Sequence, residues 1–183
     1  FERWPTADRY EKTYRIAEAL ITRKQFPVDT SLEEWASRLA SEYTTHCERA
    51  IARCTEMPGA SEVLDDLSAR GLLLFVNSAT PVEPLQRLLK LRGWSRLFQT
   101  IYGVEASKAE NLKEIALTTK SKPTEIIHVG DQYDDKQGAE QFGCHFVAMA
   151  ARNSGPVSEQ SKRIIKDLRE LPQLLNKIAG EAS

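Results

Sequence analysis

The chain has 183 residues, with 25 lysines and arginines against 26 aspartates and glutamates, for a formal charge of −1. Both signs are mixed along its length, which excludes the basic footprint of a nucleic-acid binder and the polybasic patch of a membrane-surface protein. No apolar run approaches the length of a membrane span, and the chain is long enough for one sizeable core or for a core with a small helical cap.

Two helical patterns come first. One runs through Tyr10, Tyr14, Ala17 and Ile21, the other through Leu32, Trp35 and Leu39 towards His46, Ala50 and Cys54. Thr30 or Ser31, with Glu33 or Glu34 three residues on, has the spacing that starts the second. Two antiparallel helices are the implied unit. Arg9, Arg15, Arg49 and Arg53 read either as a solvated helix face or as anion contacts.

The chain divides near Met57-Pro58-Gly59, giving a helical unit over 1–57 and a second unit over 58–183. In the second, strands are predicted over 72–77, 100–102, 125–129, 144–149 and 163–165, and helices over 61–70, 82–91, 108–119, 134–142 and 168–178. This alternation predicts an α/β fold, a mainly parallel Rossmann-like sheet with helices on both faces. Such sheets place ligands beyond the carboxyl ends of their strands. Asn153, Ser154, Gly155 and Pro156 read as a loop. Cys47, Cys54 and Cys144 are odd in number and lack C-x-x-C spacing, so reduced thiols and a cytoplasmic location are expected. His46 beside Cys47 and His145 beside Cys144 are assigned structural or surface roles, because neighbours on a strand point to opposite faces.

Three segments carry chemistry. The run IIHVGDQYDD breaks at Gly130 onto Asp131, Asp134 and Asp135. Crowded carboxylates at a strand's end suit a hard cation such as Mg²⁺, and some of them also suit the positive N-terminus of the next helix. In LLLFVNSATP the strand delivers Ser78, whose hydroxyl and following N–H groups, from Ala79 on, are disposed to hold an anion. Thr80 is the expected N-cap of the next helix, with Pro81 at its first position. In ASKAENLKEI, Ser107 and Glu110 form a capping-box spacing that puts Lys108 in a first helical turn, where a cation opposes the helix dipole. Either a bound anion reverses that penalty or the lysine is solvated. In both cases losing its side chain should leave stability unchanged or slightly improved.

In the order Ser78, Lys108, Gly130-Asp131 and Asp135, these segments resemble the second, third and fourth motifs of the haloacid dehalogenase (HAD) superfamily, over roughly residues 57–178. The helical segment before Met57 resembles, by position and helical character, the cap of the phosphoglycolate-phosphatase-like members. The resemblance implies that Ser78, Ala79 and Lys108 bind a phosphoryl group and that Asp131 and Asp135 serve Mg²⁺, with Asp134 as the alternative second acid. It implies a phosphatase acting on a small phosphomonoester through an aspartyl-phosphate. A mutase, a dehalogenase or a phosphonate hydrolase shares the scaffold. The family's first motif, D-x-D on a central strand, is not found. Asp29 follows a charged, proline-containing run, and no second aspartate lies two residues on. Its nucleophile and central strand are therefore expected upstream of Phe1, leaving a gap between the strands that end at Asn77 and Val129. A non-catalytic module that has lost its nucleophile is the alternative.

Overall fold

The computed structural model describes residues 9–23, 30–150, 157 and 161–181. Asp29 and the 153–156 loop lie outside them. By its contacts the chain forms two compact units, 1–54 and 55–183.

The first unit is a helix pair, α1 (Arg9–Thr22) and α2 (Leu32–Arg53), packed against each other. Ser31 caps α2, its hydroxyl accepting from the Glu34 N–H while the Glu34 carboxylate reaches back to the Ser31 N–H. This is the reciprocal arrangement that the sequence spacing predicts. Ala17 and Ala36 are fully buried, small residues that allow two helices to approach closely. Arg15 pairs with Glu11 on its own helix, while Arg49 and Arg53 are exposed.

The second unit alternates α3 (Ala60–Ala69), β1 (Leu74–Asn77), α4 (Val82–Leu91), β2 (Phe98–Tyr102), α5 (Lys108–Thr119), β3 (Ile127–Gly130), α6 (Tyr133–Phe142), β4 (His145–Met149), β5 (Ile164–Ile165) and α7 (Leu171–Glu181). All strand pairs are parallel, and they form two sheets, β1-β2 and β3-β4-β5. The core sits on the three-stranded piece. Val63 and Leu67 of α3 and Leu171, Leu175 and Ile178 of α7 close over Val147 and Ile165, which are essentially inaccessible. Parallel strands bury both faces, and α3 and α7, which contact each other, cover this one.

Among the described residues, β1 and β3 do not pair, and each ends its sheet. Between them lies a slot of about 440 Å³, bordered by Phe75, Ile127 and Val129 from the strands and by Leu67, Leu112 and Ile115 from flanking helices. Two unpaired parallel edges beside an apolar slot are a template for intermolecular strand pairing. The 183-residue chain alone is therefore expected to associate, with a thermal midpoint that depends on concentration. Sedimentation at several concentrations checks this, and a monomer with a sharp, concentration-independent transition contradicts it.

Candidate functional site

The site assembles where β1 and β3 end. β1 closes on Asn77, and the ladder runs one bond further, the Ser78 N–H donating to the Tyr102 carbonyl at 3.0 Å. The Ser78 hydroxyl accepts from the Thr80 N–H at 3.2 Å, a turn bond that orients the segment before α4. Helix α4 spans the predicted 82–91, but its cap is not the expected one. Pro81 stands at the N-cap in extended conformation, and Thr80 does not cap. The acceptor comes from elsewhere, since the Glu105 carboxylate takes the Val82 N–H at 3.1 Å. A cap supplied by a distant carboxylate leaves no local spacing to read.

Helix α5 begins as predicted. Ser107 and Glu110 exchange both capping-box bonds, and the Ser107 hydroxyl, donating to the Glu110 carboxylate at 2.7 Å, and then the Ser107 N–H lower that carboxyl from its ordinary value. Lys108 is not solvated. Its ammonium donates to the Asn77 carbonyl at 2.6 Å and pairs with Asp135 Oδ1 at 2.9 Å, with its side chain 12% exposed. The anion that offsets the helix dipole is thus a carboxylate of the chain itself. Lys108→Ala would leave a buried acid short of its partner, so the sequence-based expectation of an unchanged or improved stability is replaced by a loss of about 1–3 kcal/mol.

Asp135 is the most constrained acid. His128 Nε2 stands 3.3 Å from the same Oδ1, and the Gln132 N–H donates to Oδ2 at 3.2 Å, making Asp135 also the third-residue partner of Gln132 in the capping box of α6. Burial alone would raise its carboxyl. The hydrogen bond from His128 and the charge and hydrogen bond of Lys108 outweigh burial and hold it at about 2. Two glycines make the approach possible. A Cβ on Gly130 would fall 2.4 Å from Asp135 Cβ, and one on Gly138 would fall 2.4 Å from Lys108 Cβ. Gly138 lets α6 lie against the first turn of α5.

A cleft of about 440 Å³ is bordered by Ser78, Ala79, Glu105, Lys108, Glu110 and Asp134, among others. The structure thus brings Ser78, Ala79, Lys108 and Asp134 to one opening, with Asp135 joined to them through Lys108. Asp131 is exposed and accepts from the Gln132 side-chain amide at 3.0 Å. The described residues contain no group of three or more His, Cys, Asp or Glu arranged for a metal. A hard cation needs few protein ligands when waters and a substrate phosphate supply the rest, and the exposed oxygens of Asp131 and Asp134 fit that requirement. Asp135, already matched by Lys108, fits an orienting role better than direct ligation.

Sequence reasoning missed Asn77, Asn111 and His128. His128 interrupts an apolar strand, and Asn77 closes one, which are signals that a polar group is wanted at those points. The histidines that sequence reading weighed, His46 and His145, lie outside the cleft's lining. Beside His145, burial pushes the Cys144 thiol up to about 11, so it is no nucleophile at neutral pH.

The chain belongs to the haloacid dehalogenase-like hydrolase family, whose sequence model matches residues 9–149. Solved structures share the fold. A predicted phosphoglycolate phosphatase from Haemophilus somnus 129PT matches with TM-score 0.72 at 18% identity, over 89% of this chain and 75% of that one. A β-phosphoglucomutase from Clostridium difficile matches with TM-score 0.73 at 18% identity, over 99% and 81%. A HAD-superfamily hydrolase of subfamily IA, variant 1, from Geobacter sulfurreducens PCA matches with TM-score 0.65 at 23% identity, over 87% and 72%. No curated protein sequence matches the chain.

The depressed Asp135 carboxyl has a testable pH signature. Its folded value, about 2, lies below the ordinary 3.8, so the stabilisation is fully present above about pH 4 and is lost as pH falls through 2. In metal-free buffer, urea unfolding of the parent chain and of Asp135→Asn should converge by about 2 kcal/mol between pH 5 and pH 1. A difference that stays constant across that range contradicts the assignment.

Proposed function

We propose that the chain forms part of a Mg²⁺-dependent phosphatase acting on a small phosphomonoester, with residues 1–57 as its specificity cap and 58–183 as its core. The attacking aspartate lies on a segment upstream of Phe1. The observation that carries this reading is the buried cation at the cleft: Lys108 stands between the end of β1, beside Ser78, and the acid that follows β3. A cation fixed before substrate arrives needs no reorganisation as charge develops on a transferring phosphoryl group.

In this reading the Ser78 hydroxyl and the Ala79 N–H hold phosphoryl oxygens, and Lys108 neutralises them. Asp131 would hold Mg²⁺, with Asp134 or Asp135 as the second acid. Asp135 orients Lys108 from behind. Bound Mg²⁺ would supply further neutralisation of the phosphate. The helices of the cap supply the substrate contacts, and a cytoplasmic setting accords with three cysteines that form no disulfide.

A non-catalytic module is the second reading, favoured by one fact: Asp135 and the Asn77 carbonyl already satisfy Lys108. Two measurements separate the readings. The 183-residue chain alone should not hydrolyse a generic aryl phosphate, since its groups offer binding and charge stabilisation without a nucleophile. Mg²⁺-dependent turnover by the purified chain, abolished by Asp131→Ala, would place the nucleophile within it. In the full-length enzyme, Lys108→Ala should lower turnover by about a hundredfold or more, with exposed Lys113→Ala as the control. Turnover within about threefold of the parent's would sink the phosphatase reading.

A further inference from the structure

Asn111 lies one turn beyond Lys108 on α5 and is 5% exposed. Its side-chain amide donates to Asn77 Oδ1 at 2.9 Å and also faces the carbonyls of Gly103 at 3.3 Å and Ala106 at 3.4 Å. The amide nitrogen therefore meets three acceptors, drawn from the end of β1, the residue after β2 and the loop leading into α5. A leucine or alanine would fill this position of an amphipathic helix at lower desolvation cost. The polar choice calls for a reason.

The bonds run in a chain. Because Asn111 occupies Asn77 Oδ1, the Asn77 amide can present only its nitrogen in the other direction, and that nitrogen donates to the Lys108 carbonyl at 3.1 Å. The Asn77 backbone carbonyl in turn receives the Lys108 ammonium at 2.6 Å. Both ends of Lys108, its backbone and its charged tip, are thus held by one residue whose amide orientation is set by Asn111. Without Asn111, Asn77 Oδ1 loses its donor and the amide is held from one side only, by its bond to the Lys108 carbonyl. A side chain anchored at one end would let the first turn of α5 shift.

We propose that Asn111 is a positioning residue for phosphoryl transfer, acting through Asn77 to fix Lys108 at the cleft. The inference rests on the phosphatase reading above, and it adds a residue that touches neither substrate nor metal. It predicts an effect on turnover that exists only while Lys108 is present to be positioned.

The experiment is a double-mutant cycle in the full-length enzyme, with kcat and KM measured on a generic aryl phosphate and folding checked by thermal melting. Asn111→Ala should lower kcat by about tenfold or more while KM changes little, as misplacement of a group that acts in the transition state requires. In a Lys108→Ala background the same substitution should change kcat by less than about twofold. If Asn111→Ala does not fold, Asn77→Ala cuts the same link from its other end and must show the same dependence on Lys108. Equal losses in both backgrounds would mean that the amide only supports the fold, and no loss in the parent would mean that it supports nothing catalytic. Either result overturns the inference while leaving the phosphatase reading intact. If Lys108→Ala itself leaves turnover unchanged, both fall together.

Discussion

The Lys108–Asp135 ion pair is the contact on which this arrangement depends, because it ties the end of β1 to the start of α6 where no described strand joins the two sheet fragments. Both side chains are about nine-tenths buried, at 12% and 9% exposure. A pair so placed is stable only when its remaining hydrogen-bonding capacity is met, since desolvating two charges costs more than their attraction returns. Here it is met. The Asn77 carbonyl takes the ammonium, while His128 and the Gln132 N–H face the carboxylate. Gly130 and Gly138 give the room, and α5 is the element that packs on both β1 and α6.

Much of this was legible in the sequence, for identifiable reasons. Every predicted strand and helix after Pro58 occurs, because apolar runs and amphipathic stretches alternate cleanly there and glycines such as Gly143, with φ 89°, mark helix ends. The capping boxes at Ser31 and Ser107 were readable because both partners lie three residues apart. What escaped was long-range. Glu105 capping α4 spans 23 residues, and Asn77 and Asn111 meet across 34. From sequence Lys108 reads as solvated or anion-bound, because helix position sets its dipole energy but not its burial. Its true partner comes from a different helix.

The burial of the strands shows how far the second unit is from a continuous sheet. β4, flanked on both sides, has two fully buried residues in five, whereas all four residues of β1 are only partly covered. In a parallel sheet the strands nearest the centre should be the most buried. β1 and β3 border an apolar slot instead, so the hydrophobic contribution is concentrated around Val147 and Ile165 on the far side of β3. Polar contacts at the strand ends carry more of the registration of β1 against β3 than they would in a sheet with backbone pairing across its middle. This gives the half-buried amide of Asn77 and the buried amide of Asn111 a structural setting in which orientation matters more than burial energy.

Charge at the cleft constrains what can occupy it. Its lining carries Lys108 against Glu105, Glu110 and Asp134, and the one lysine is already paired with Asp135. A phosphate monoester brings up to two further negative charges. At the separations of a shared cleft, like charges repel by about 1 kcal/mol per pair in water and by several times that near a protein surface. Ser78 and backbone N–H groups contribute dipoles, which offset part of such a sum. In the proposed reading a divalent cation supplies the rest, and the exposed carboxylates of Asp131, after β3, and Asp134, in the first turn of α6, would receive it without disturbing the buried pair. In that reading, the balance of the lining residues is a reason for added positive charge that does not use motif spacing.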